Sequence, residues 1–479
     1  MGSIITKVIA GLVIVALILI GIIALMDEPK PSEKKQQVKK AAIRLNVFFE
    51  SSMSMDGYVR GDNEFEAAMM TLVGGIGRSF QQRQMKQGAT ASSSTKIYSL
   101  EGINLYTVAC GQDNNAAATS VIGNASISAI DTWFKNVEPT TLGSGSGRTA
   151  TELKSVLQLA LDSVGANRVS MVISDMILSP MAAQRAEQQT AVGGSSQMER
   201  ILQKEQSQIL NTFTDALARA KDRIAMIGYR FESRYDGFFT PEAKRPTPKS
   251  KRKAAGSGGT RVVMNSRPYY VWIIGTVDAI EQIARRVDLN GLRENRLTHS
   301  CLLIEPSSGS RVLTYSLVSP IGLAYPKTVL PKVGKYMLDG SNAVTVTSTA
   351  ENRIVYAIDL KLPVSKQYAQ VEVIAKATTA GHKDSVVSCE RLKDGKYRVY
   401  VLSTFAMGDV PSYGAKTSLT FYHKKPVWFT EYSVDDDNGT HTDPVKERQT
   451  FGLRYLMEGV WRAFYPEEPA IGSLEVTLK

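Results

Sequence analysis

Leu45-Asn46-Val47-Phe48-Phe49-Glu50-Ser51-Ser52-Met53-Ser54 is an apolar run that ends in a carboxylate and passes straight into a hydroxyl-rich loop. A near-continuous apolar run of this length reads as a strand buried on both faces. Glu50 then marks its carboxyl end, with Ser52 and Ser54 two and four residues on. Carboxylate and hydroxyl oxygens are hard ligands, the kind that Mg²⁺ or Ca²⁺ takes.

Two later stretches have the same character. The glycine-serine loop at 143–147 leads into Arg148-Thr149-Ala150-Thr151-Glu152-Leu153, and Leu153, Leu157 and Leu161 then recur at helical spacing. Thr151 is the hydroxyl nearest that helix and Thr149 is its rival; either also serves as an ordinary N-cap. Arg168-Val169-Ser170-Met171-Val172-Ile173-Ser174-Asp175 is a second buried-type strand ending in a carboxylate, which would equally serve as a strand terminator.

In this order, the three stretches resemble the von Willebrand factor A (VWA) domain. That family opens on Asp-x-Ser-x-Ser, places a threonine before a helix, and ends its central strand in an aspartate. The resemblance implies a Rossmann-like α/β domain, a mostly parallel sheet with helices on both faces. It also implies a metal-ion-dependent adhesion site built from Glu50, Ser52, Ser54, Thr151 and Asp175. In the family the hydroxyls touch the Mg²⁺ or Ca²⁺ ion, the acids act through water, and an open position takes a carboxylate from a protein partner. The ion there bridges and does not catalyse. This chain departs from the pattern at Glu50, where the family has aspartate. One extra methylene moves the carboxylate by about an ångström or more, which the strict octahedron of Mg²⁺ tolerates poorly. Glu50 therefore either coordinates directly or marks a degenerate site.

Around these stretches, residues 42–288 read as one alternating α/β unit. Helices are expected at 64–82, 127–137, 196–221 and 277–287. Strands are expected at 96–100, 103–110, 223–229 and 269–275, the first two joined by a tight turn at Glu101-Gly102. Between the last two strands, residues 233–267 hold the basic run Lys244-Arg245-Pro246-Thr247-Pro248-Lys249-Ser250-Lys251-Arg252-Lys253. This composition predicts a solvated arm, either without a ligand or offered to an anionic partner such as acidic protein, nucleic acid or lipid.

Residues 4–26 predict a transmembrane helix. Val8 to Met26 is uncharged and almost wholly aliphatic, and as a helix it spans about 28 Å. No cleavage site stands before Asp27, so the segment reads as a retained single-pass anchor in the cell membrane. Lys30, Lys34, Lys35, Lys39 and Lys40 follow it, against Lys7 before it, and the charge rule favours a cytoplasmic bulk, whereas the β-rich C-terminal half is of a kind often displayed outside the cytoplasm, so the side stays open. Residues 27–41 form a charged tether.

From 292 to 479 the period changes to two. Strands are expected at 297–305, 311–317, 343–349, 353–360, 370–376, 396–404, 417–423 and 427–434, with a last one at 473–478. This predicts an antiparallel β-sandwich of immunoglobulin-like kind. A late amphipathic helix at 445–464 packs on the sandwich or back on the first unit, or docks a partner. Asp435-Asp436-Asp437-Asn438-Gly439 reads as a polar turn, because its spacing lacks the Ca²⁺-loop positions.

Hydrophobic residues make up 43% and charged residues 22% of the 479, which places the chain among folded proteins. Three scattered cysteines and four histidines form neither a disulfide framework nor a zinc pattern. The sequence carries no GxSxG and no Walker loop. The expected function is a membrane-tethered, protein-binding scaffold. The rival is a metal-dependent phosphoesterase or nuclease using Glu50 and Asp175, although two-metal hydrolysis generally needs more acids.

Overall fold

The computed structural model describes residues 40–479, apart from 62, 88–96, 111–115, 144–147, 149–151, 179–193, 240, 242–259, 307–311, 322–333, 340–342, 349–351, 362–372, 380–381, 406–414 and 468–469. The predicted span at 4–26, the predicted tether at 27–41 as far as residue 39, Thr151, Thr149 and the basic run at Lys244–Lys253 lie outside the described residues, while Lys40 and Ala41, read as the end of the tether, open the first strand. Among the described residues no helix is long and apolar enough to cross a membrane.

Seven strands form the first sheet: β1 (Lys40–Glu50), β2 (Ile97–Cys110), β3 (Ala116–Ala125), β4 (Arg168–Ser174), β5 (Ile224–Phe239), β6 (Thr260–Thr276) and β7 (Leu297–Ile304). Their spatial order is β3-β2-β1-β4-β6-β5-β7. Leu45, Val47 and Phe49 of β1 face one apolar layer, and Phe48 faces the other. The first layer is covered by the helices Glu64–Met69, Gly75–Gln87, Ile127–Lys135 and Val277–Ala284. The second is covered by Leu153–Asp162, Gly194–Arg219 and Leu453–Phe464. Helices on both faces are therefore present, as expected.

The strand directions correct the expectation of a mostly parallel sheet. Only β1–β2 and β1–β4 are parallel; β2–β3, β4–β6, β5–β6 and β5–β7 are antiparallel. For β5 and β6 the cause lies in Ser233–Phe239 and Thr260–Arg267, which pair directly with each other. Parallel neighbours need a long crossover, whereas antiparallel neighbours need only a hairpin. Ser233 to Phe239 and Thr260 to Arg267 are the paired arms of that hairpin, so these parts are not a solvated loop. Tyr235, Phe239 and Met264 are buried along them.

Further corrections follow from side-chain size and edge geometry. Residues 97–110 are one strand, with Glu101 a bulge opposite Ile43 and Arg44 and not a hairpin turn. At Gly102 an added Cβ would stand 2.0 Å from Asn124 Oδ1, so a larger residue there would have to turn the Asn124 side chain aside. Residues 428–431 form a helical turn and not a strand. The strand at 297–304 is β7 of the first sheet, so this unit extends past residue 288.

The late helix, Leu453–Phe464, packs back on the first unit. Its neighbour is the Gly194–Arg219 helix, and Leu453, Leu456, Met457, Val460 and Phe464 share a core with Leu202, Ile209 and Phe213. The segment before it closes the β7 edge. Trp428 and Tyr432 lie over the His299 ring at 5.7 and 5.0 Å between centroids. Burial, and then the Arg230 charge, push the His299 imidazole down to about 4. The neutral ring is thus the folded form, and its contribution is complete above the unfolded value of about 6.5. Stability is expected to fall as pH drops from about 6.5 towards 4, and to fall less in His299→Phe. Urea midpoints of the two proteins across that window check this; parallel curves would remove His299 as the cause.

The remaining strands make a two-sheet sandwich. One sheet is β12 (Val373–Thr379), β15 (Ala415–His423), β18 (Ala470–Leu478), β10 (Ala343–Ser348) and β9 (Lys335–Asp339). The other is β13 (Lys383–Arg391), β14 (Tyr397–Thr404), β11 (Arg353–Leu360) and β8 (Tyr315–Leu317). Val344, Leu419, Phe421 and Val476 from the first meet Ile354, Tyr356, Ile358 and Val399 from the second. The final strand pairs into the sandwich along β15, as its alternation predicted.

Candidate functional site

The carboxyl ends of β1 and β4 lie side by side, because the parallel register runs Arg44↔Arg168 to Phe49↔Ile173. Continuing that register, Glu50 stands level with Ser174, one residue short of Asp175. The Ser174 hydroxyl donates to the Glu50 carboxylate and accepts from the Met176 amide at 2.8 Å. Glu50 is 4% exposed, so this bond forms in a buried setting.

Beyond Glu50 the chain turns at once. The Ser51 amide and hydroxyl both donate to the Val108 carbonyl, at 2.8 and 3.0 Å. Ser52 then opens a 3₁₀ turn over Met53–Gly57 without capping it. Its Oγ lies instead 2.9 Å from Ser54 Oγ. The turn is fixed from three sides. Arg148 Nε donates to the Ser51 carbonyl at 2.6 Å, and the same guanidinium pairs with Asp56 and reaches the Gly143 carbonyl at 2.8 Å. Burial pushes the Asp56 carboxyl up, and Arg148 opposes that shift. Tyr58 Oη donates to the Pro268 carbonyl at 2.6 Å, with burial holding the phenol well above its ordinary range. At Gly237 an added Cβ would meet Gly57 Cα at 2.7 Å, so hairpin and turn touch backbone to backbone.

Asp175 follows β4 and is 3% exposed. Its Oδ1 accepts from the Ile177 amide at 3.3 Å, and its Oδ2 is buried with no hydrogen-bond partner in the protein. A buried, unbonded carboxylate oxygen is costly unless something compensates it. Arg267 is a nearby cation. It is 4% exposed and lies over the Tyr235 and Phe239 rings at 5.1 and 5.0 Å. Burial opposes its charge, but Tyr58, Tyr235, Asp175 and Asp437 raise it above the ordinary arginine value.

Ser52, Ser54 and Asp175 fit a cation in part. Two neighbouring ligands of an octahedral Mg²⁺, each about 2.0–2.1 Å from it, stand about 2.9 Å apart. The Ser52 and Ser54 hydroxyls, hydrogen-bonded to each other at 2.9 Å, stand at a spacing that such an ion could also span, and Asp175 Oδ2 has no hydrogen-bond partner among the described residues. Glu50 fits less well, since Ser174 already occupies one of its oxygens. Among the described residues no three His, Cys, Asp or Glu side chains cluster as a metal site. Any ion here would rest mainly on hydroxyls.

No protein-family model matches the chain, and no curated protein matches it. The case for the site thus rests on this geometry. Asp56, Arg148 and Arg267 belong to it and carried no motif of their own. Arg148, a lone cation closing a glycine-serine loop, was the one visible signal. A cavity of about 430 Å³ lies at the opposite end of the strands, beside Leu161, Leu217 and Ile224. Asp162 and Asp222 balance Arg219 and Lys221 on its lining, so it offers no uncompensated charge to a ligand.

Proposed function

We propose that this chain is a membrane-tethered, VWA-like binding protein. Its partner is a protein held at the carboxyl-terminal edge of the β1–β4 strand pair. The observation that carries this reading is the unbonded Oδ2 of Asp175 beside a strand end that presents the Ser52–Ser54 hydroxyl pair. Ser52, Ser54 and Asp175 would hold a divalent cation, with Thr151 as the further hydroxyl. When bound, the ion supplies an electrophilic position for a partner carboxylate. Arg148 and Tyr58 keep the turn in place, and Arg267 limits the cost of the Asp175 charge. The sandwich, read as immunoglobulin-like, is a second binding module, and the span at 4–26 holds the assembly to the membrane with its bulk on the cytoplasmic side.

The phosphoesterase reading is weaker, since Ser174 holds one oxygen of Glu50, and two-metal hydrolysis generally needs more acids than the strand ends supply. Thermal melts of the full-length chain with Mg²⁺, with Ca²⁺ and with EDTA test the proposal. Wild type is expected to gain about 2.7 kcal/mol at a hundredfold excess of ion over Kd. Asp175→Ala, Ser52→Ala and Thr151→Ala should each lose that gain. A melt indifferent to metal in wild type would retire the cation and leave the loops alone as the binding surface.

A further inference from the structure

The two edges of the seven-stranded sheet are treated differently. The β7 edge is closed by the chain itself. The Ile304 amide donates to Tyr465 Oη at 3.0 Å, and Trp428 and Tyr432 cover His299. The β3 edge has no such cover among the described residues. Ala117, Ala118, Thr119, Ser120 and Val121 are all exposed.

Exposed edges usually carry a charge, a proline or a bulge that prevents pairing with another chain. The second half of β3 has such guards. Its register against β2 slips on both sides of the Leu105↔Ile122 pair, and Asn124 takes a left-handed φ of 48°. The first half has none. From Cys110↔Ala116 to Tyr106↔Ser120 the register is unbroken, and Ala116-Ala117-Ala118-Thr119-Ser120 holds neither charge nor proline. In the sandwich, by contrast, the β13 edge carries Lys383, Asp384, Glu390 and Arg391, and the β8 edge is three residues long.

We infer that Ala116–Ser120 is a docking edge for a second copy of this chain, joined antiparallel about a two-fold axis at Ala118. The occupant follows from self-complementarity. In that register Ala116 faces Ser120, Ala117 faces Thr119 and Ala118 faces itself. Every pair is small and uncharged, so the two sheets approach without clash or like-charge repulsion. The isologous contact continues one sheet into the other and closes after two copies. Five residues of strand bury less than the roughly 1,200 Å² of a stable interface. The dimer is therefore weak and depends on concentration. This inference does not depend on the cation site, and neither reading falls with the other.

Cysteine cross-linking of the full-length chain in detergent tests it. The background is Cys389→Ser, since Cys110 and Cys301 are buried. On the two-fold axis, Ala118→Cys brings two sulfurs together, because opposed Cα atoms in an antiparallel pair stand about 4.5–5.5 Å apart, within disulfide range. Oxidised glutathione takes up the two electrons and two protons. Ala118→Cys is expected to form a dimer at least about tenfold faster than Lys135→Cys, an exposed site off the axis, as the raised effective concentration requires. Ala117→Lys and Thr119→Lys, each added to Ala118→Cys, should abolish the advantage by opposing charge to the edge. Equal rates at the two positions, or an advantage that survives either lysine, would overturn the dimer edge.

Discussion

Replacing Glu232 with alanine is expected to cost about 3–5 kcal/mol of stability. Glu232 is 3% exposed and stands between two arginines. Arg230 Nη1 donates to it at 2.8 Å, and Arg448 donates to both of its oxygens at 2.9 to 3.2 Å. Ser266 bonds it as well. Burial would push this carboxyl up, but the bonds from Arg448, Ser266 and Arg230 outweigh it and hold it below its ordinary value. Arg230 is wholly buried, with its Cζ 3.8 Å from the centre of the Tyr432 ring. Without Glu232 that guanidinium loses its carboxylate partner and keeps neutral acceptors such as Thr298 Oγ1 and the Arg448 carbonyl. Two readouts follow. The melting temperature should drop, and amide exchange should quicken at 428–451, the segment Arg448 fastens to the sheet. Linkage adds a pH signature. A depressed carboxyl stabilises above its unfolded pKa, and that stability is lost as pH falls through the lower folded value. Glu232→Ala should lack this acid-side loss. A melt within about 1 kcal/mol of wild type would mean that solvent reaches Arg230, as for a surface pair.

Gly459→Leu is expected to separate two helices. Gly459 lies on the Leu453–Phe464 helix where it crosses Gly194–Arg219, and an added Cβ would meet the Gln206 carbonyl oxygen at 2.8 Å and Ile209 Cγ2 at 3.2 Å. The nearest obstacle is backbone and cannot rotate aside. Helix propensity alone would favour alanine over glycine by about 0.5–1 kcal/mol. The clash reverses that sign. Gly459→Ala should destabilise by about 1–3 kcal/mol, and Gly459→Leu by the upper end of that range or beyond. Chemical denaturation of the three proteins ranks them. A Gly459→Ala variant more stable than wild type would show that the helices slide apart at no cost.

Much of this fold was legible where the sequence signal is a run of apolar residues. The buried strands around Val47 and Val172 and the helix carrying Leu153 and Leu157 were readable from period and punctuation. Strand direction was not, because alternation has no arrow. The hairpin that makes β6 antiparallel showed only as a missing helix. β3 escaped notice because alanine, serine and glycine are poor strand formers, and its pairing with β2 supplies what propensity lacks. Trp428-Phe429-Thr430-Glu431 reads as strand by composition, and its helical turn is decided by packing over Tyr270 and His299. An apolar face also does not name its partner, so the late helix could be read without knowing that it covers the first sheet. At the site, the strand-end residues were readable one by one. The Ser174–Glu50 bond and the Arg148–Asp56 clamp were not, since each joins residues about a hundred positions apart.

The return of the late helix to the first sheet has a consequence for synthesis. β7 ends at Ile304, and the helix that covers the second layer ends at Phe464, so 464 − 304 = 160 residues are made in between. At roughly 5–20 residues per second the ribosome needs about 8–32 s for them. Throughout that interval the apolar face around Leu202, Ile209 and Trp272 is out of the ribosome and lacks its lid. The nascent chain is expected to need shielding there, by a chaperone. A chain truncated after the sandwich's first strands would expose the same face permanently.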